Sequence, residues 1–99
     1  MRLYRRLLDC TGFQWDEGNA TKNWEKHLVT QAECEQAFFN RPLLVRRDKG
    51  HSLTEPRLYG LSKTDAGRLL FVAFTIRGDK IRVISARDMT TQERTRYER

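Results

Sequence analysis

Four cationic side chains fall within a short stretch around a Gly78-Asp79 turn: Arg77, Lys80, Arg82 and Arg87. A guanidinium is always charged and offers five donors in a planar fork, a shape that fits phosphate oxygens two at a time. Several such groups on a rigid hairpin imply a polyanionic partner, and nucleic acid is the class they suit. If Gly78 and Asp79 are the two turn residues, Arg77 faces Lys80, Thr75 faces Arg82, Ala73 faces Ile84 and Phe71 faces Ala86. The pleat then puts Leu70, Val72, Phe74, Ile76, Ile81 and Val83 on one face, and Thr75, Arg77, Lys80 and Arg82 on the other. Like charges on that second face repel unless an anion lies between them. Solvated edge charges that guard against strand pairing are the rival reading, and spacing does not separate the two. In the same register Arg87 points toward the apolar side at the far end of the hairpin.

Bulk composition agrees in direction. The chain has 99 residues and a formal charge of +6, which fits one small domain with an affinity for polyanions. Residues 1–40 hold 5 Lys or Arg against 6 Asp or Glu, a balance of −1, whereas residues 41–99 hold 14 against 7, a balance of +7. The positive field belongs to the C-terminal part. Hydrophobic residues make up 38% of the chain, enough for one thin core. The longest apolar run is Leu69 to Phe74, far below the roughly 18 residues of a membrane span. The N-terminal apolar stretch is broken by charge too early for a signal peptide, so a cytoplasmic location is expected. Cys10 and Cys34 form no CxxC pair, and His27 and His51 lie at no ligand spacing, so no metal or cofactor is expected.

The elements that must position the arginines are readable in part. Gly12 to Trp15 reads as a short strand or extended entry, with Asp16 as an N-cap. Ala20, Trp24 and Leu28 recur four residues apart, which predicts a first helix from Asn19 to His27, with His27 near its C-terminus. Thr30 and Glu33 form a capping box that starts a second helix through Phe39, closed by Asn40 and Pro42, with Trp24, Phe38 and Phe39 assigned to the core. Leu43 to Arg47 and Arg57 to Ser62 read as strands, joined by a loop over residues 48–56, and Lys63 to Gly67 is a turn. Thr90 with Glu93 is a second capping box, opening a short helix through Tyr97.

Phe13-Gln14-Trp15-Asp16-Glu17, Asn23 to His27, and the strand Ile81-Arg82-Val83-Ile84-Ser85-Ala86-Arg87 followed by Glu93-Arg94 and Tyr97 together resemble the BrnT family, small ribonuclease toxins of type II toxin-antitoxin pairs. His51, Glu55 and Arg57 add to the resemblance, which covers roughly residues 12 to 98. The chain departs from the family where Leu28 replaces the common glycine after His27, where Pro56 precedes Arg57, and in a segment of about eleven residues before Phe13. The resemblance implies a single RelE-like α+β domain: two N-terminal helices on one face of an antiparallel sheet of about four strands, a short C-terminal helix, and the opposite face used for RNA. It also implies a ribbon-helix-helix antitoxin, BrnA-like and dimeric, that binds operator DNA and covers the basic face of the toxin.

RNA can be cut without a metal when its 2′-hydroxyl attacks the adjacent phosphate. That route needs a base, cations on the phosphorane-like state and an acid at the leaving oxygen. Arg57, Arg77 and Arg82 are the expected phosphate ligands, with Arg87 near them and Lys80, Arg46 and Arg47 as further RNA contacts. His51 and Glu55 are candidate proton carriers, and Tyr97 is a third that could reach the sheet from the last helix. Each has an ordinary alternative: His51 and Glu55 as solvated loop residues, Glu55 as a partner of Arg57, Tyr97 as a packed aromatic. A non-catalytic RNA- or DNA-binding module using the same basic face is the alternative function.

Overall fold

The computed structural model describes residues 7–19, 27–48 and 57–99. Five strands, β1 (Gly12–Phe13), β2 (Leu44–Arg47), β3 (Leu58–Lys63), β4 (Leu69–Arg77) and β5 (Lys80–Asp88), form one sheet in the order β1-β5-β4-β3-β2. Helix α1 (Gln31–Phe39) precedes β2, and helix α2 (Thr91–Tyr97) follows β5. The architecture is α+β, with one correction to the expectation. The sheet has five strands rather than about four, because β1 pairs with β5, and does so in parallel. Among the described residues only α1 precedes the sheet's hairpins as a full helix; the expected helix from Asn19 to His27 falls almost entirely on residues 20–26, outside the described residues.

Both capping boxes form. Thr30 Oγ1 accepts from Glu33 N at 3.0 Å while Glu33 Oε1 accepts from Thr30 N at 3.0 Å; the Thr90 and Glu93 pair does the same at 3.2 and 2.9 Å. Each satisfies two of the four N–H groups that a helix start leaves without partners, which is why both helices begin where the sequence places them. Asn40 closes α1 by donating its backbone N–H to Gln36 O. Cys34, Ala37 and Phe38 turn inward onto Leu70, Val72 and Phe74 of β4 to make the main core. Burial pushes the Cys34 thiol up to about 12. Phe39, assigned to the core from sequence, is 74% exposed, because one turn of helix cannot bury two consecutive side chains on the same sheet.

The hairpin turn is at Gly78 and Asp79, with Gly78 at φ 61°, a left-handed conformation that glycine adopts without a Cβ clash. Arg77 faces Lys80 and Thr75 faces Arg82, as the turn requires. Beyond Phe74, which faces Val83, the expected register fails: Ala73 faces Ser85 and Phe71 faces Arg87, with Ile84 as the extra residue of a β-bulge. A bulge shifts every later side chain of β5 to the opposite face. Arg87 therefore lies on the side of Phe71 and Thr75, not on the apolar side.

That second face is not bare. Met89 and Tyr97 pack on Leu61 in a smaller cluster joined by Leu44, Leu69 and Phe71, so α2 covers one end of it. The other end, toward the turn, carries the arginines.

Candidate active site

The β3–β4–β5 ladder lines up three of the expected phosphate ligands. Thr75 faces Arg82, and Leu58 faces Phe74, so Arg57, one residue before Leu58, lies beside Thr75 on the side away from Arg82. Adjacent strands are ~4.8 Å apart, which puts the backbones of Arg57 and Arg82 on the order of 10 Å from each other with Thr75 between them. Arg77 is two residues further along β4, exposed at the turn. Thr75 is 3% exposed, so the central position is filled by a small side chain under larger neighbours.

Arg82 has a defined pose. Its Nη1 donates to Asp16 Oδ2 at 2.7 Å and Nη2 to Oδ1 at 3.1 Å, a two-pronged ion pair in which Arg82 is 16% exposed and Asp16 50%. The Arg82 hydrogen bonds hold the Asp16 carboxyl below its ordinary value. Asp16 belongs to a short ordered loop: its Oδ1 accepts from Gly18 N at 2.8 Å, its own N–H donates to Asn19 Oδ1, and Asn19 Nδ2 donates to Val83 O at 2.9 Å in β5. A Cβ on Gly18 would come within 3.3 Å of Arg82 Nη2, so glycine keeps the pair closed. The N-cap expected at Asp16 gives no hint of this partnership, which spans 66 residues.

The other candidates are distributed as follows. Arg57 Nε lies 3.7 Å from Asp48 Oδ2. Arg87 pairs with Glu93 through Nη1 at 2.8 Å and Nη2 at 3.0 Å, and its guanidinium sits 4.0 Å from the centre of the Phe71 ring. The Arg87 hydrogen bonds hold the Glu93 carboxyl below its ordinary value. Four residues separate Phe71 from Thr75, so Arg87 shares the face of Arg82 but stands roughly 13 Å along it. Lys80 Nζ donates to Thr11 Oγ1 at 3.0 Å, and Thr11 Oγ1 donates to Asp79 Oδ2 at 2.7 Å, tying the chain before β1 to the turn. Arg46 and Arg47 are exposed on the edge strand β2. Tyr97 is buried and donates its hydroxyl to Pro42 O at 2.7 Å, the geometry of the packed aromatic rather than of a group aimed at the arginines. His51 and Glu55 lie outside the described residues.

Arg68, which no local motif marks, ties several elements together. It donates to Asp88 Oδ1 at 2.7 Å and Oδ2 at 3.2 Å, to Leu28 O at 2.9 Å, to His27 O at 3.2 Å and to both Glu33 carboxylate oxygens at 3.3 Å. Leu28 has φ 55°, so the position where glycine is common is left-handed here, and Arg68 caps the carbonyls that this bend exposes. No sequence signal marked Arg68, because its partners are 20 to 41 residues away.

The α+β sheet thus has one face packed against α1 and an opposite face partly covered by α2, with Arg57, Arg77 and Arg82 toward the hairpin turn. Residues 15–93 match the family described as ribonuclease toxin, BrnT, of type II toxin-antitoxin system, and the chain belongs to that family. Membership implies RNA as the substrate and a protein antitoxin as the partner. A comparison with curated proteins returns no match. Among the described residues no helix is long and apolar enough to cross a membrane.

Proposed function

We propose that the chain is a metal-independent endoribonuclease whose arginine face holds the scissile phosphate between Arg57, Arg82 and Arg77. The observation that carries this reading is the two-pronged Arg82–Asp16 pair. A carboxylate and a phosphate present the same pair of oxygens to a guanidinium fork, so the pose that grips Asp16 is one that also grips a phosphate. In the reaction the 2′-oxygen bonds to phosphorus, the bond from phosphorus to the 5′-oxygen breaks, and the products are a 2′,3′-cyclic phosphate and a 5′-hydroxyl. The arginines neutralise charge that builds on the non-bridging oxygens. His51 and Glu55 are the proposed carriers of the two protons, and Arg87 is placed at the edge of the site. Tyr97 is assigned an anchoring role for α2.

The chain acts in the cytoplasm in this reading, inhibits translation and growth by cutting RNA, and is neutralised by a dimeric ribbon-helix-helix antitoxin that covers the arginine face and binds operator DNA. The test is to incubate antitoxin-free protein with single-stranded and structured RNA in the presence of a chelator and identify the new 3′ ends. Cyclic phosphate ends are expected. RNA that is bound and left intact would sink the enzyme reading in favour of a non-catalytic binding module.

A further inference from the structure

A hollow of about 540 Å³ opens between β2 and α2, lined by Arg46, Thr91, Gln92, Thr95, Arg96 and Arg99. Among the described residues its lining side chains are three arginines, two threonines and a glutamine. Arg46 is the register partner of Tyr59 across the β2–β3 ladder, with Nη1 donating to Val45 O at 3.3 Å, and Arg96 Nη1 donates to the Tyr59 hydroxyl at 3.3 Å, so both residues flank one aromatic. Tyr59 stacks on Phe71 with ring centres 5.2 Å apart and planes 22° from parallel, and Arg87 lies over Phe71. Arg87, Phe71, Tyr59 and Arg46 thus form a strip across β5, β4, β3 and β2, roughly 14 Å long at the spacing of sheet strands.

We infer that this strip and the hollow at its end are a second RNA-binding site, a track for the sugar-phosphate backbone of single-stranded RNA beyond the scissile phosphate. Interleaved flat aromatic rings and guanidinium groups are what a flexible polyanion with stackable bases requires, whereas an acidic peptide needs only the charge. The site is separate from the Arg57–Arg82 position and reaches it through Arg87. The inference takes its ligand class from the ribonuclease reading, but its test does not depend on cleavage.

The probe is a labelled eight-nucleotide RNA with 2′-O-methyl groups, which binds but cannot be cut by 2′-oxygen attack. Binding is measured from 50 mM to 500 mM salt for the native protein and for R46Q/R96Q, with thermal unfolding recorded to confirm the fold. Two phosphate contacts on a single strand contribute a slope of about 1.4 in log affinity against log salt, equivalent to roughly 25-fold in affinity at 0.1 M relative to 1 M. The double variant should lose about that slope and that affinity, and should no longer favour the eight-nucleotide RNA over a trinucleotide. R46K/R96K, which keeps both charges, should restore most of the slope. An unchanged slope in R46Q/R96Q overturns the inference, as does competition by polyglutamate equal to that by RNA of the same charge. RNA that binds with this slope but is never cut by the native protein removes the ribonuclease reading and leaves the track standing.

Discussion

Arg68, one residue before β4, and Arg82, on the neighbouring β5, carry the same group and both grip carboxylates, yet their surroundings differ in kind. Arg68 spends its donors on two backbone carbonyls and on two carboxylates from different elements, Glu33 of α1 and Asp88 of β5. Arg82 holds one side chain, Asp16, which is half exposed on a loop. A backbone carbonyl in a folded chain cannot move aside for a ligand, but a single solvated carboxylate can be exchanged for a phosphate at modest cost. The contrast separates an arginine that builds the fold from one that, under the proposed function, is available to a substrate, and neither burial nor sequence would have made the distinction.

The sharpest way to break that contrast is to truncate both. Arg82→Ala should lower RNA cleavage by about 10²–10³-fold, the cost of removing one donor from a developing oxyanion, with stability within about 1 kcal/mol of the native protein. Arg68→Ala should do the reverse, losing about 2–3 kcal/mol as its charged hydrogen bonds to two backbone carbonyls, Glu33 and Asp88 are removed together, and lowering Tm by roughly 10–20 °C. If Arg82→Ala unfolds the protein, or Arg68→Ala abolishes cleavage at an unaltered Tm, the two roles have been assigned the wrong way round.

Acid titration sharpens the same comparison at smaller amplitude. The Glu33 carboxyl is held below its ordinary value of 4.5, first by the Thr30 backbone N–H and then by Arg68, and Arg68 lowers Asp88 as well. A folded-state pKa below the unfolded one contributes stability that is fully present above the unfolded value and is lost as pH falls through the folded value. Tm should therefore be flat above about pH 5 and decline below 4.5, by this linkage. Glu33→Gln should flatten part of that decline. Asp16→Asn should leave it nearly unaltered, since solvent screens the exposed Asp16 pair; equal effects of the two substitutions would erase the difference.

The smallest effect concerns Leu28, whose carbonyl accepts from Arg68 and whose backbone is left-handed. Leu28→Gly relieves that conformation but adds unfolded-state entropy, for a net gain of about 0.5–1 kcal/mol. A rise of a few degrees in Tm is expected. A fall would mean that the exposed leucine side chain contributes more than the backbone strain costs.

Local chemistry made much of this fold legible. Thr30 and Thr90 start helices because a hydroxyl and a glutamate three residues apart satisfy N–H groups within one turn, and Gly78 makes the hairpin because its backbone can be left-handed. What escaped was non-local. Gly12 pairing with Lys80, Asp16 with Arg82 and Arg68 with His27 and Leu28 join positions tens of residues apart, and no periodicity encodes them. The arginine site was half visible: alternation from the turn outward placed Arg77 and Arg82 on one face, but alternation cannot reveal a bulge, and so it sent Arg87 to the wrong side.

That extra residue at Ile84 also bears on how reliably β5 finds its place. On an unbroken strand, sliding one residue moves every side chain to the wrong face together, and the chain has a single way of being wrong or right. Here the segment before Ile84 and the segment after it alternate out of step, so no uniform slip can satisfy both: each trial alignment that suits one half drives a charged or apolar side chain of the other half into a hostile layer. The bulge thus acts as a proofreading mark for strand assembly.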